Sequence, residues 1–174
     1  MIYERIVFEQ SWMQLLQGTR NVSYSMVIHA KSTKPQLSDF FKQFLMPEKV
    51  PNNRCKNANL MLSLMLVALR DPEVSHLAIV SGDTLPLRPL HLISYDLERD
   101  TRSRFCQDNE WRRAETWFVM RRDHAELFTA HTAELRAWIP TSDCEDEDMF
   151  FMPLALRTKD TIDKCVMMTD WSGT

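Results

Sequence analysis

Apolar residues recur along the chain in two periods, and the sharpest change from one to the other falls between Asn57 and Leu87. From Asn57 to Arg70 the positions Leu60, Leu62, Leu64, Met65, Leu66 and Leu69 follow a helical pattern, with Asn57 placed to cap its start and Asp71-Pro72 placed to stop it. After a short loop, Leu77 to Val80 forms an uncharged run with two β-branched residues, the pattern of a strand covered on both faces of a sheet. The run stops at Ser81-Gly82-Asp83 and turns at Pro86. Open α/β sheets bind ligands beyond the carboxyl ends of their strands, which makes this triplet a candidate site. Gly and Asp also favour turns for backbone reasons alone, so the same residues read equally well as a plain turn.

The remaining pattern fills in around that unit. Gln10–Gln17 predicts a short helix with Ser11 as its cap and its end near Gly18. Ser23–His29 predicts a strand, and Ser38–Leu45 a helix carrying Phe40, Phe41 and Phe44 on one side. Pro89–Leu97 predicts another short helix, and the charged stretch Glu98–Arg113 a long, mobile loop. Trp117–Met120 is a strand candidate, Asp123-His-Ala-Glu126 has the spacing of a capping box, and Pro140 closes the helix that would follow. Thr141–Asp148 is acidic, Met149–Leu156 is apolar, and Cys165–Trp171 predicts a last strand. Helices alternating with strands, without repeats or low-complexity tracts, predict a three-layer α/β fold in a single domain over 1–174.

Composition narrows the classes of function. A hydrophobic fraction of 44% with 26% charged residues is ordinary for a globular domain, and 174 residues suffice for a proper core. A net charge of −3 argues against nucleic acid as a partner over the whole surface, although Arg99, Arg102, Arg104, Arg112, Arg113, Arg121 and Arg122 crowd into one third of the chain. No apolar run approaches the roughly 20 residues of a membrane span, so no membrane segment is expected in this chain. With only three glycines, neither the dinucleotide-binding nor the P-loop glycine pattern occurs. The four cysteines lack zinc spacing; they form two disulfides in a secretory compartment or stay as thiols in a reducing one, and composition does not choose.

Some residues carry candidate chemistry. Asp143, Glu145, Asp146, Glu147 and Asp148 place five carboxylates in six positions, a group that supplies a general base, gathers a cation, or forms a solvated acidic loop. His29 ends a strand candidate, where a partly buried structural histidine is the better reading than a ligand-binding one. Trp117 suits stacking on a sugar face and equally suits core packing. Asp83 is the sole carboxylate after its strand, a poor divalent site, so a diphosphate handled here would be neutralised by Arg or Lys instead.

Taken in order, several motifs resemble the core-2/I-branching β-1,6-N-acetylglucosaminyltransferase family and its plant and algal relatives. They are Tyr24–Lys31, Val50–Leu69, Val80-Ser-Gly-Asp-Thr-Leu-Pro-Leu87, Trp111–Arg122 with Asp123-His124-Ala125, Cys144-Glu-Asp146-Glu147, and Thr169-Asp170-Trp171-Ser172. Each is weak alone, and six in order cover nearly the whole chain. The resemblance implies a GT-A-like three-layer αβα sandwich with a mostly parallel central sheet. It also implies an inverting, metal-independent transfer of a sugar, usually N-acetylglucosamine from UDP-N-acetylglucosamine, to a glycan hydroxyl in the Golgi lumen. No cofactor beyond the nucleotide-sugar substrate is expected. Glu147 would be the catalytic base beside Asp146, His29 and Lys31 would face the nucleotide, and Ser81, Gly82, Asp83 and Trp117 would line the sugar or acceptor side.

The chain also departs from that family. Its first strand and the basic segment after Trp171 that grips the diphosphate have no counterpart here, Ala114 stands where the family prefers Gly, and Asp148-Met149 displaces an aromatic residue. Two further functions therefore stand beside the transferase: a catalytically inactive relative that binds a glycan or a partner protein, and a cation-binding regulatory module built on the acidic loop.

Overall fold

A computed structural model describes residues 1–18, 22–53, 55–108, 113–136, 144, 145 and 161–165. The chain is mixed α/β. Helix α1 (Glu9–Gln17) and the single turn α2 (Asp39–Lys42) belong to the amino-terminal part. Helix α3 (Ala58–Ala68), strand β1 (His76–Ala78), helix α4 (Leu90–Arg99), strands β2 (Ser103–Asp108) and β3 (Arg113–Arg121), helices α5 (Arg122–Ala130) and α6 (Thr132–Arg136) and strand β4 (Thr161–Asp163) follow.

The expected helices at α1, α3 and α4 form where the periodicity places them. Asn57 occupies the N-cap position of α3, which buries Leu60, Met61, Leu64 and Met65 and ends before Asp71-Pro72. Helix α1 begins at Glu9, so Ser11 lies inside its first turn and does not cap it. The carboxylate of Glu9 instead accepts the Ser38 backbone N–H at 2.7 Å, which ties the start of α2 to α1.

The sheet has the order β1-β3-β2-β4. β3 pairs antiparallel with β1 (Leu77 opposite Met120) and with β2 (Phe105 opposite Phe118), whereas β2 and β4 are parallel. Among the described residues the central sheet is therefore largely antiparallel, unlike the mostly parallel sheet that the resemblance implies. Its core face carries Leu77, Phe105, Phe118 and Met120 against Met61 and Met65 of α3 and Ala125 and Phe128 of α5. The rings of Phe105 and Phe118 lie 5.2 Å apart.

Glu98–Arg113 is not one long loop, because β2 occupies 103–108 and buries Ser103, Arg104 and Phe105. Arg104 hides its charge by donating to the carbonyls of Asp96 (2.7 Å) and Asp100 (3.0 Å) at the end of α4, where a cation meets the negative pole of the helix. Arg122 acts similarly on α3, donating to Leu69 O at 3.0 Å, Asp71 O at 2.8 Å and Val74 O at 3.2 Å. The seryl oxygen of Ser103 accepts the Arg121 N–H at 3.0 Å and lies 2.7 Å from His124 Nδ1, a buried polar pair that joins β2 to α5.

The amino-terminal part is organised differently. The strand expected over Ser23–His29 reduces to isolated parallel bridges, Ile2 with Ala30 and Ile28 with Leu45, joined by a third between Arg5 and Gln36. Around them Ile6, Leu16, Leu37 and Phe41 form a second apolar cluster. All four cysteines are paired, Cys55 with Cys144 and Cys106 with Cys165.

Candidate functional site

Residues 1–7 run between two of the loops singled out by sequence. On one side Ile2 N donates to His29 O at 2.9 Å and Lys31 N to Ile2 O at 3.0 Å; on the other Val7 N donates to Gly82 O at 2.7 Å. The His29–Lys31 loop and the Ser81–Asp83 loop thus share one backbone spacer. Gly82 is required by closeness: a Cβ there would sit 2.8 Å from Ile2 Cγ2 and 3.0 Å from Arg5 O. The triplet is a turn as well, since Thr84 N donates to Ser81 O at 3.3 Å and the Ser81 hydroxyl bonds Asp83. Trp12 holds the end of this turn through Nε1 to Thr84 O at 2.8 Å.

Two clefts flank the spacer and meet at Tyr3. One, of about 250 Å³, is lined by Met1, Ile2, Tyr3, Lys31, Asn52, Asn53 and Asn57. The other, of about 340 Å³, is lined by Tyr3, Glu4, Arg5, Val7, Gly82 and Asp83. The Tyr3 side chain is 72% exposed and stands between them, with the Lys31 ammonium 5.9 Å from its ring centre. The first cleft offers one cation and three amides, the second two carboxylates and a guanidinium, and both share an aromatic face.

His29 lies behind the first cleft, not in its lining. It is 2% exposed, and its Nε2 accepts the Val50 N–H at 3.2 Å, which places the proton of the neutral ring on Nδ1. Nδ1 is buried without a hydrogen-bond partner among the described residues. Burial, with the nearby Lys49 cation adding to it, lowers the His29 pKa below the ordinary value, because the charged ring would be desolvated. Lys49 also reaches across the loop to Lys31 O at 3.3 Å and to Ser32 O.

Of the residues singled out by sequence, Lys31, Gly82 and Asp83 line the clefts, Ser81 supports the turn, and His29 anchors the loop at Val50. Trp117 is elsewhere, half-buried on β3 against the sheet cluster. Asp146 and Glu147 lie outside the described residues, as does most of the acidic run. Its Glu145 donates a backbone N–H to Cys55 O at 3.0 Å, beside the Cys55–Cys144 disulfide and the asparagine-bearing loop. Among the described residues no group of three His, Cys, Asp or Glu is placed to hold a metal ion, and no helix is long and apolar enough to cross a membrane.

Tyr3, Arg5 and the three asparagines were not singled out by sequence. The available signal was the density of Asn52, Asn53 and Asn57 in a proline-bearing loop; nothing local marks Tyr3, which matters only because residues 1–7 separate two distant loops. Comparison with family models, curated proteins and solved structures finds no match.

Proposed function

We propose that the chain is a glycosyltransferase-like domain that moves a sugar from a nucleotide sugar, UDP-N-acetylglucosamine by family resemblance, to a glycan hydroxyl. The observation that carries this reading is the meeting, at Tyr3, of the two loops that the resemblance assigns to donor and acceptor. Lys31 supplies a cation for a diphosphate, and Asn52, Asn53 and Asn57 supply donors and acceptors for a ribose or base. Across Tyr3, Glu4, Arg5 and Asp83 suit the hydroxyls of a sugar whose face rests on the ring. Of the two clefts, the one of about 340 Å³ sits at the lower end of the range of ligand sites, roughly 300–1,000 Å³, and the one of about 250 Å³ falls just below it.

In this reading the GT-A-like arrangement extends through the parallel bridges of the amino-terminal part. Glu147 accepts the proton of the acceptor hydroxyl as its oxygen attacks the anomeric carbon and UDP departs with the bonding pair, giving inversion. Two disulfides suit an oxidising compartment such as the Golgi lumen.

The largely antiparallel sheet favours a second reading, a catalytically inactive domain that binds a glycan or a partner protein. One experiment separates them. Glu147→Gln is expected to lower acceptor-dependent consumption of the nucleotide sugar by about 10²-fold or more while UDP still binds. Equal rates remove Glu147 from the role of base, and a wild-type protein that binds glycans without turnover selects the second reading.

A further inference from the structure

The asparagine-bearing side of the first cleft hangs from three fixed points. At one end Val50 N–H is held by His29 Nε2 at 3.2 Å, with Lys49 Nζ on Lys31 O at 3.3 Å. At the other end the Asn57 carbonyl accepts the Met61 N–H at 2.9 Å in the first turn of α3. Between them the described residues form no helix or strand, and among them one internal backbone bond runs from Lys56 N to Asn53 O at 3.0 Å. The middle is fixed from outside by the disulfide to Cys144 and by the Glu145 N–H on Cys55 O at 3.0 Å.

Cys55 is also the one non-glycine residue with positive φ among the described residues, at 60°. A side chain in the left-handed region is sterically disfavoured and persists only where surrounding structure imposes it. Here a covalent bond and a hydrogen bond to the same two-residue partner impose it. Removing the covalent one leaves a short irregular span held at its ends and free to return Cys55 to negative φ.

We infer that the Cys55–Cys144 disulfide is a clasp on the cleft wall carrying Asn52, Asn53 and Asn57, so that breaking this one bond lowers the affinity of the cleft for a nucleoside diphosphate. Cys55 and Cys144 are positioning residues, and the ligand class rests on the function proposed above. The step is ordinary thiol–disulfide exchange. A dithiol attacks the bond, two thiols form at Cys55 and Cys144, and the reductant leaves as its own disulfide, so two electrons and two protons move from the dithiol to the protein. Cys106–Cys165 joins β2 to the residues after β4 and serves as the control.

The test uses UDP as probe and amide hydrogen exchange as a readout independent of any ligand. In Cys55→Ser/Cys144→Ser, exchange at Val50 and across 51–57 is expected to rise while β3 stays protected. UDP affinity is expected to fall on the order of tenfold, the scale set by re-ordering a short loop on binding. In Cys106→Ser/Cys165→Ser both stay near the wild-type values. Should the first variant fold poorly, wild-type protein is titrated with dithiothreitol, and exchange at Val50 must rise in step with loss of the Cys55–Cys144 bond as mapped by alkylation. Unchanged exchange across 50–57 in either format overturns the clasp. Rising exchange in a protein that never binds UDP keeps the clasp and removes the nucleotide reading instead.

Discussion

The sheet region and the amino-terminal region each bury a phenylalanine completely, Phe118 in one and Phe41 in the other, yet they hold their backbones by different means. Around Phe118 antiparallel ladders join β1, β3 and β2, and Arg122 and Arg104 finish the ends of α3 and α4. Around Phe41 the backbone is joined by isolated bridges and single hydrogen bonds between loops. Both clefts lie on the second kind of framework. Regions without cooperative ladders open at lower free energy, which is where ligand-binding loops are commonly found. The comparison teaches that here the sheet is the platform and the recognition surface is an irregular layer laid beside it.

The largest effect is expected from paired truncations. Phe118→Ala and Phe41→Ala each remove a buried ring and should cost about 3–5 kcal/mol. Phe118→Ala should lower the single melting transition of the whole chain. Phe41→Ala should chiefly raise amide exchange over 22–46 and leave β3 protected. Simultaneous loss of protection in both regions from Phe41→Ala would break the distinction between them.

A smaller effect tests the seam. Gly82→Ala forces a methyl against Ile2 Cγ2 and the Arg5 carbonyl, at 2.8 and 3.0 Å. Because one neighbour is backbone, residues 1–7 must shift, at a cost of about 1–3 kcal/mol. Calorimetric melting should record that loss, and the cleft lined by Gly82 and Asp83 should lose ligand before the one lined by Lys31.

The smallest effects are in pH, where His29 and Asp100 respond in different windows. His29 has a lowered pKa in the fold, so the unfolded chain takes up its proton first; the stability this neutral ring contributes is complete above about pH 6.5 and declines as pH falls below it. Asp100, at the α4–β2 junction, is held down to about 2 by its hydrogen bonds and ion pair with Arg102, against burial, which opposes the shift. Its contribution is present above its unfolded value, near 4, and is lost as pH falls toward 2. Exchange over 22–46 should therefore rise on mild acidification before exchange near Asp100 does, and His29→Gln should shrink that first step, the buried Met1 amino group, its pKa lowered to about 6, accounting for part of what remains.

What could be read from sequence follows the same division. Helix α3 and strand β3 bury long apolar runs, and their periodicity is visible without any partner. β2 was hidden because its inward Arg104 reads as a surface charge until the carbonyls of Asp96 and Asp100 are seen to receive it. The strand expected over 23–29 shrinks to single bridges because Ile28 exchanges hydrogen bonds only with Phe44 and Met46, a long-range fact that no local pattern carries. Lys31, Gly82 and Asp83 were visible as polar ends of apolar runs. Tyr3 was not, since its importance comes from the two loops that residues 1–7 separate.

The disulfide connectivity bears on how the chain is made. The two covalent loops interlock in sequence, since Cys106 falls inside the 55–144 span and Cys144 inside the 106–165 span. During synthesis Cys55 and Cys106 emerge first, and each is the wrong partner for the other. Correct oxidation must wait for Cys144 and Cys165 or undo an early mispairing, so the yield of native protein on oxidative refolding should depend on a thiol–disulfide isomerase.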